Sequence, residues 1–447
     1  MARIRSRRHI RYLVVLAIAG GLIGASSSSV AAVGPNIVAQ WNKIAEDTVV
    51  GSGAFQNEGL VYMAYTAAAV YDAVVAIEGG YEPYGPAITS PAGASSDAAV
   101  VEAAYETLLH SFPGSAAALG ASYATSLGAI ANGQAKTDGL AVGHVAALAI
   151  IAMRTGDGRL TPIGTTSAFP VLPPGPGVWR LTPPAYAAPQ TPWVATVTPF
   201  IVPSADRYLP DPPPALTSQE WVDQFNEIKL YGQDSSTART PEQTAIARFW
   251  TANVIRQYNR LVRDIADARS LGLLQTARLA AMVNVVGADA QISVMYAKYH
   301  YLFWRPVTAI DPTSVKLAGD GFGPVPGSSD GNAATIEVAG WRPLIPTPNH
   351  PEYPAAHGSL TSAMAEVIGD FLGTNWIDVD IHGFSPTGSG GNLDAVRHFD
   401  RVNDLRAEII DARLWAGVHY RGSGVAGVNL GRSVAKYDLR WAFQPVR

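Results

Sequence analysis

Three short stretches in the C-terminal half carry residue types suited to binding an anion. The first holds Lys298 and Arg305, seven residues apart in an aromatic run that ends at Pro306. On a continuous helix, seven residues make nearly two turns, so the two cations would share one face about 10 Å apart. Pro306 disfavours a helical conformation in the residue before it, which predicts Arg305 at the end of that helix. Two such cations need an anion, unless both reach solvent along the surface.

The second stretch precedes a predicted helix over Leu360–Phe371. Pro354 suits a first helical turn, which would leave the backbone N–H groups of Ala355, Ala356 and His357 without acceptors inside the helix. A helix N-terminus of this kind binds anions. A histidine beside it, titrating near neutral pH, can exchange protons with the bound group. Taken alone, His357 would more often be a polar residue that caps the helix.

The third stretch holds Arg413 and His419. Six residues correspond to about 240° around a helix, so the two side chains would point in different directions if the helix continued. A shared site therefore requires a break between them, and Gly417 can supply it. Together the three stretches offer three cations, two histidines and a helix N-terminus in an apolar setting.

These stretches resemble the signature of the vanadium-dependent haloperoxidases and the related acid and lipid phosphatases. That signature reads Lys, six residues, Arg-Pro; then Pro-Ser-Gly-His; then Ser-Arg, five residues, His. The sequences Phe-Trp-Arg-Pro and Gly-Val-His-Tyr are closer to the haloperoxidases, and the similarity extends upstream through residues 68–74 and 179–200. The matching pairs are Lys298 and Arg305, Pro354 and His357, and Arg413 and His419.

The resemblance implies vanadate as the cofactor and hydrogen peroxide, a halide and a small organic acceptor as reaction partners. His419 would coordinate vanadium through a ring nitrogen, and His357 would assist peroxide as the acid–base residue. A homodimer is also compatible with it. The residues that would hydrogen-bond or surround the oxyanion are Lys298, Arg305, Ala355, Ala356 and Arg413.

Three departures from the family pattern leave the reaction open. Ala355 replaces a serine hydroxyl donor, and Ala356 replaces a glycine whose N–H binds the anion. Ser423 stands where phosphatases carry an aspartate that orients the nucleophilic histidine, a role that Asp411 could take over. The leading hypothesis is a haloperoxidase. The alternatives are a secreted phosphatase acting through a phosphohistidine on His419, and a catalytically weak oxyanion-binding protein.

Other histidines and one glutamate have simpler interpretations. His350 lies seven residues before His357, where bromoperoxidase-like relatives also carry histidine, so bromide or iodide is slightly favoured over chloride; a turn histidine without a halide role is the alternative. Glu352 is interpreted as a carboxylate near the helix start, and His300 as a packed helix residue near the site. The histidines interpreted as structural are His110, His144, His382 and His398.

The first 32 residues have the composition of a signal peptide. Five arginines precede an apolar run over Tyr12–Ile23, and a small-residue tract ends at Ala32. We therefore expect secretion, with Arg7 and Arg8 resembling a twin-arginine export signal; an uncleaved anchor is the alternative. No second long apolar span is expected, and hence no membrane partner after processing. The net charge of −4 argues against nucleic acid.

The rest of the chain is predicted to be all-α, a helical bundle with irregular crossovers. Its 447 residues are 48% apolar and lack cysteine, which excludes thiolate chemistry. We expect residues 33–239 to form an N-terminal helical region and 240–447 a C-terminal region with the oxyanion site, the two together making one compact unit. A proline-rich segment over about 160–215 should wrap against the core, with a disordered linker as the alternative. Helices are predicted over Asn57–Ile77, Asp97–Ser111, Leu140–Met153, Thr240–Ser270, Leu274–Trp304 and Leu393–Trp415.

Overall fold

Helices make up most of the regular structure, as predicted, in a computed structural model of the chain. The structure describes residues 36–163, 169, 172, 175–314, 330–384 and 395–446, so the leader predicted over residues 1–32 lies outside them. The helices are α1 Ile37–Gly51, α2 Gln56–Glu78, α3 Ser96–Ser111, α4 Ala116–Gly128, α5 Gln134–Arg154, α6 Gln219–Tyr231, α7 Pro241–Phe249, α8 Val254–Ala268, α9 Leu273–Tyr301, α10 Pro306–Ile310, α11 Ala356–Leu372, α12 Val402–Trp415 and α13 Arg421–Trp441. Residues Asn36–Arg447 form one compact unit.

The helix predicted from Thr240 to Ser270 is in fact two helices. Its start is correct, because the Thr240 hydroxyl accepts from the Gln243 N–H and the Gln243 side chain accepts from the Thr240 N–H. The chain then breaks between α7 and α8. Asn253 explains the restart, because its side-chain oxygen accepts from two N–H groups in the first turn of α8. A capping asparagine inside an apolar pattern was the signal that the sequence interpretation missed.

The helix predicted over Leu393–Trp415 begins nine residues later, and a strand precedes it. β1 (Trp376–His382) and β2 (Val396–Arg401) pair antiparallel. In β1 the side chains of Ile377, Val379 and Ile381 are buried while their neighbours are exposed. This period of two is the pattern of a half-buried strand. The sheet in the described part of the chain consists of these two strands, so the fold class is still all-α.

Helices α2 and α9 pack against each other at the centre of the core. Three described helices, α2, α5 and α9, are long and apolar enough to cross a membrane by length and composition, so the expectation of no further apolar span is wrong. In the most apolar window, 83% of α2 and 94% of α9 is buried inside the protein, against 33% of α5. A helix that is apolar on all sides is typical of a position surrounded by protein. The core therefore accounts for α2 and α9.

Glycines bring α13 unusually close to α11, which carries His357. A methyl group on Gly427 would lie 2.3 Å from the carbonyl oxygen of Ala355. One on Gly431 would lie 1.9 Å from the carbonyl oxygen of Ser359. Both distances are far below van der Waals contact, so only glycine permits this approach. The N-terminus of α11 is thus fixed in place by the backbone of α13.

The described part of the proline-rich segment lies against the core. The backbone N–H groups of Phe200, Ile201 and Val202 donate to the carboxylate of Asp289 on α9 at 2.5, 2.7 and 3.1 Å. The Arg154 guanidinium lies 4.0 Å from the centre of the Phe200 ring. These contacts fit a wrap rather than a free linker. Other residues of the segment, including 164–168 and 173–174, are outside the described residues.

Asp438 on α13 is a second buried carboxyl group beside Asp289. No donor among the described residues reaches either of its oxygens. Burial raises the pKa of Asp438 well above its usual value, and the neighbouring charge of Asp289 raises it further. Asp438 therefore keeps its proton in the folded state at pH values where the unfolded chain has released it.

Asp438→Asn should stabilise the protein at neutral pH. Because the folded-state pKa is raised, folding stability falls as pH rises above about 4, where the unfolded aspartate ionises. Asparagine has nearly the same shape and does not titrate. We expect a gain in the free energy of unfolding that is absent near pH 3 and grows by about 1.4 kcal/mol for each pH unit above the unfolded pKa, until the folded-state pKa is reached. Urea unfolding at pH 3 and pH 8 measures it, and a loss of stability at pH 8 would contradict the assignment.

Candidate active site

Lys298 and Arg305 do not share a helix, contrary to the prediction. Lys298 lies in the last turn of α9, which ends at Tyr301 because Leu302 adopts a left-handed conformation with φ of 50°. The Leu302 carbonyl accepts from the Trp179 N–H at 2.6 Å, so the proline-rich segment pairs with the chain just after α9. Arg305 is the N-cap residue of α10, a position compatible with the proline that follows.

Lys298 is fully buried and binds the backbone of the second stretch. Its Nζ donates to the carbonyl oxygens of Pro351 and Glu352 at 2.9 and 2.8 Å. An ammonium group has three donors, so one remains. Burial lowers the pKa of Lys298 well below its usual value, and the nearby Arg305 charge lowers it further.

Arg305 joins the second and third stretches. Its Nε donates to the His350 carbonyl and one Nη1 hydrogen to the Val418 carbonyl, both at 2.9 Å. Nη1 also lies 3.4 Å from Nε2 of His419. Burial lowers the pKa of Arg305 to about 10, so the guanidinium stays charged at neutral pH. The histidine and the arginine that sequence places 114 residues apart are therefore in contact.

Arg413 is the third buried cation, in the last turn of α12. Its Nη1 donates to the Trp250 carbonyl at 3.1 Å, while its Nε has no partner among the residues described. Within the same residues no carboxylate forms an ion pair with Arg413, in contrast to Arg406 on the same helix, which pairs with Glu366. Burial lowers the pKa of Arg413 to about 9, with Arg305 contributing. Arg413 thus keeps an unused buried donor.

The break predicted at Gly417 is present. Gly417 has φ of +77°, and a methyl group there would lie 2.3 Å from the Gly232 carbonyl oxygen. Helix α12 ends at Trp415 and α13 begins at Arg421, so His419 lies in the connection between them. This connection turns His419 toward Arg305.

Glu352 contacts His419 directly, which corrects its interpretation as a helix-start carboxylate. Its Oε1 lies 2.9 Å from Nδ1 of His419 and accepts from the Tyr420 N–H at 3.0 Å. Burial raises the pKa of Glu352 to about 7, although Lys298 and Arg305 act in the opposite direction. Asp411, considered above as the orienting carboxylate, instead pairs with Arg421 at 2.7 Å.

The N-terminus of α11 differs in detail from the prediction. Helix α11 begins at Ala356, so Pro354 lies before it rather than in its first turn. The N–H of Ala355 donates to the Ser423 carbonyl at 3.0 Å, so its expected availability to an anion is wrong. The N–H groups of Ala356 and His357 lie in the first helical turn, where no intrahelical acceptor exists. These two N–H groups are therefore still able to bind an anion at the N-terminus of α11.

His350 is buried and His357 is partly buried near the three cations. Nε2 of His357 has no hydrogen-bond partner in the described part of the chain. Nδ1 of His350 accepts from Nη2 of Arg305 at 3.0 Å. Burial lowers the pKa of His350, His357 and His419 well below the usual value, and the neighbouring cations lower it further, so all three are neutral at pH 7.

The remaining histidines of the described part of the chain take no part in these contacts. His300 is half-buried and stacks on Tyr296. His144 lies 2.8 Å from Glu106, and His398 is exposed beside Asp380. None of the interactions described for them involves the three buried cations.

The cluster as a whole is suited to an oxyanion such as vanadate or phosphate. Lys298, Arg305, Arg413, Glu352 and His419 are each at most 2% exposed. Three buried cations thus face a single buried carboxylate, and buried charges need compensation. The unpartnered Nε of Arg413 and Nε2 of His357 are polar atoms of the kind that a bound group satisfies. The donor set therefore fits a tetrahedral anion coordinated or attacked by His419.

Comparisons with known proteins find a similar domain, a similar sequence and similar folds. Residues 278–447, which contain every predicted site residue, match the family model of the VCPO second helical-bundle domain. The vanadium chloroperoxidase of Curvularia inaequalis is 25% identical over 292 residues, covering 53% of this chain and 46% of that protein. The chain therefore spans about half the length of this curated relative.

Solved structures share the fold over nearly the whole chain. A bacterial vanadium-dependent iodoperoxidase superposes with a TM-score of 0.72 at 20% identity, covering 92% of this chain and 98% of the other. A holo-type bacterial vanadium-dependent chloroperoxidase gives a TM-score of 0.61 at 16% identity, covering 88% and 91%. The matched domain and the curated relative support a relationship to the vanadium haloperoxidases, and the solved structures show that this chain shares their fold.

Proposed function

We propose that this chain is a vanadate-dependent haloperoxidase that oxidises a halide with hydrogen peroxide and a proton to hypohalous acid and water. The observation that carries the proposal is the convergence of Lys298, Arg305 and Arg413 on His419 in a buried site with one carboxylate. Because the cations exceed the carboxylate in number, the site favours an anion. Similarity to vanadium haloperoxidases favours vanadate as that anion.

The side chains divide the work between binding and proton transfer. His419 would hold vanadium through Nε2, while Lys298, Arg305, Arg413 and the Ala356 N–H would neutralise and orient the oxygens. Bound vanadate would supply Lewis-acid activation of peroxide toward the halide. His357 is neutral at pH 7, and its unpartnered Nε2 is able to accept a proton from the entering peroxide and return it.

Bromide or iodide is the proposed halide and a small organic molecule the acceptor. His350 supports this preference, because it brings a polar ring beside Arg305 at the position where bromoperoxidase-like relatives carry histidine. The iodoperoxidase among the similar structures is consistent with it. Initial rates with chloride, bromide and iodide at equal concentration measure the preference, and a faster rate with chloride would contradict it.

A halogenation assay with purified protein tests the activity itself. Bromination of monochlorodimedone should require both peroxide and vanadate and should be inhibited by phosphate, which competes for the same cations. Absence of bromination by protein that demonstrably binds vanadate would overturn the proposal.

Phosphatase activity is the second candidate, favoured by the carboxylate on Nδ1 of His419. A histidine held in this way can attack phosphorus through Nε2. Hydrolysis of p-nitrophenyl phosphate by vanadate-free protein, inhibited by vanadate, would support this reaction. Failure of both assays despite anion binding would leave an oxyanion-binding protein.

Ala355→Ser should tighten vanadate binding. Ala355 is the N-cap residue of α11, so a hydroxyl there would lie beside the first-turn N–H groups that face the anion. A hydrogen bond to a charged group contributes about 1.5–3 kcal/mol, which corresponds to at least about tenfold in affinity. Isothermal titration of the vanadate-free protein measures the change. Unchanged affinity would show that the side chain of residue 355 does not face the anion.

We also propose that the protein is exported and works outside the cytoplasm after removal of residues 1–32. The order of arginines, apolar run and small residues supports this proposal. N-terminal sequencing of protein recovered from the culture medium should begin after Ala32. Retention of the apolar run in the recovered protein would favour an anchor.

A further inference from the structure

The contact between Glu352 and His419 determines which ring nitrogen of His419 carries the proton. Oε1 of Glu352 accepts from the Tyr420 backbone N–H at 3.0 Å, so this oxygen is already used as an acceptor. The same oxygen lies 2.9 Å from Nδ1 of His419. A second hydrogen bond to it therefore requires a hydrogen on Nδ1. In a neutral imidazole, a proton on Nδ1 leaves Nε2 with a lone pair.

The surroundings of Nε2 agree with this assignment. Nη1 of Arg305 lies 3.4 Å from Nε2, and a guanidinium only donates. Nε2 is therefore presented as an acceptor toward the cations. A metal or a phosphoryl group needs the same lone pair.

Glu352 is itself held firmly. Its backbone carbonyl accepts from Nζ of Lys298 at 2.8 Å, and its side chain is fully buried. Glu352 thus connects Lys298 to His419. Neutralising part of the positive charge is an alternative role for this carboxylate, because it is the one carboxylate in contact with these groups within the described residues.

We propose that Glu352 is a positioning residue that fixes His419 as the Nδ1–H tautomer and thereby aims the Nε2 lone pair at the bound oxyanion. The assignment of the tautomer stands on the two contacts of Oε1. Only the identity of the anion rests on the proposed haloperoxidase function. Partners of metal-binding histidines of this kind usually contribute 10–100-fold to metal affinity.

Two substitutions separate positioning from charge. Glu352→Gln removes the charge but retains an oxygen that can accept from both Tyr420 N–H and Nδ1–H. Glu352→Leu removes charge and acceptor together. If Glu352 positions His419, vanadate affinity should stay within about threefold of the parent protein for Glu352→Gln and fall about 10–100-fold for Glu352→Leu. If it acts through charge alone, both substitutions should tighten anion binding to a similar extent.

The tautomer can be read without vanadate or activity. Long-range ¹H–¹⁵N spectra of ¹⁵N-histidine-labelled, vanadate-free protein distinguish a protonated Nδ1 from a protonated Nε2, and loss of signals in His419→Ala assigns the residue. We expect Nδ1–H in the parent protein and in Glu352→Gln, and a shift toward Nε2–H in Glu352→Leu. Nε2–H for His419 in the parent protein would overturn the proposal even if the Glu352 variants failed to fold.

Glu366 supplies a matched control on α11. It pairs with Arg406 and lies away from His419, so Glu366→Gln and Glu366→Leu should change thermal stability without changing vanadate affinity or the His419 spectrum. Equal vanadate affinity of Glu352→Leu and the parent protein would refute positioning. Failure of the parent protein to bind vanadate, with the Nδ1–H spectrum intact, would instead refute the proposed function.

Discussion

Replacement of His419 by alanine should abolish vanadate retention. In the proposed site His419 provides the one protein ligand to vanadium, whereas the cations contribute hydrogen bonds and charge. Because residues that merely orient a metal ligand contribute 10–100-fold, loss of the ligand should weaken affinity by at least about 100-fold. Vanadium content after gel filtration and isothermal titration measure the loss. Thermal unfolding of the vanadate-free variant shows whether the fold survives.

His398→Ala is the matched control for this substitution. His398 is an exposed histidine on β2 that contacts Asp380, and its removal should leave vanadate affinity unchanged. Retention of vanadate by a folded His419→Ala variant would contradict the assigned ligand. It would direct attention to His357, the partly buried histidine beside Arg413.

The sequence predicted the residues that cluster here but not their geometry. Lys298 and Arg305 have the required spacing, yet the single helix predicted to explain that spacing ends at Tyr301. The left-handed Leu302 and its pairing with residues near Trp179 decide the outcome. That pairing joins segments more than 120 residues apart, and a local helical period contains no information about it.

Glu352 shows the same limit in the site itself. Its contact with His419 spans 67 residues. In the sequence, the positions near His419 where an orienting carboxylate was expected are Ser423 and Asp411. Lys298 brings the Glu352 backbone to the site from a different segment. Gly417, by contrast, was predictable, because a break between Arg413 and His419 is a local requirement.

The close approach of α11 and α13 explains why fewer N–H groups are free at the N-terminus of α11 than the sequence predicted. The pattern of glycines in α13 is visible in the sequence, but the partner of each glycine is not. Gly427 lies against Ala355, and the Ala355 N–H donates to the Ser423 carbonyl. This bond removes one of the three N–H groups expected at the anion site. Tertiary packing thus decides which local groups remain available for binding.

Arg413→Met should raise thermal stability without an anion and remove the stabilisation that an anion gives. Arg413 is a buried cation with one hydrogen bond to Trp250 and an unpartnered Nε. Replacing buried charged groups with apolar residues of similar volume is often neutral or stabilising by about 1–4 kcal/mol. In the parent protein, vanadate at about 100 times its dissociation constant should stabilise the fold by about 2.7 kcal/mol. Calorimetric melting with and without vanadate measures both effects.

Arg432→Met, at a half-exposed arginine on α13, is the control and should leave the vanadate-dependent rise in melting temperature intact. A lower melting temperature of vanadate-free Arg413→Met, together with an undiminished rise on adding vanadate, would mean that this arginine supports the fold rather than the anion. We expect instead a higher melting temperature without vanadate and no rise on adding it. That result would mean that the protein carries an unfavourable buried charge in order to bind its oxyanion.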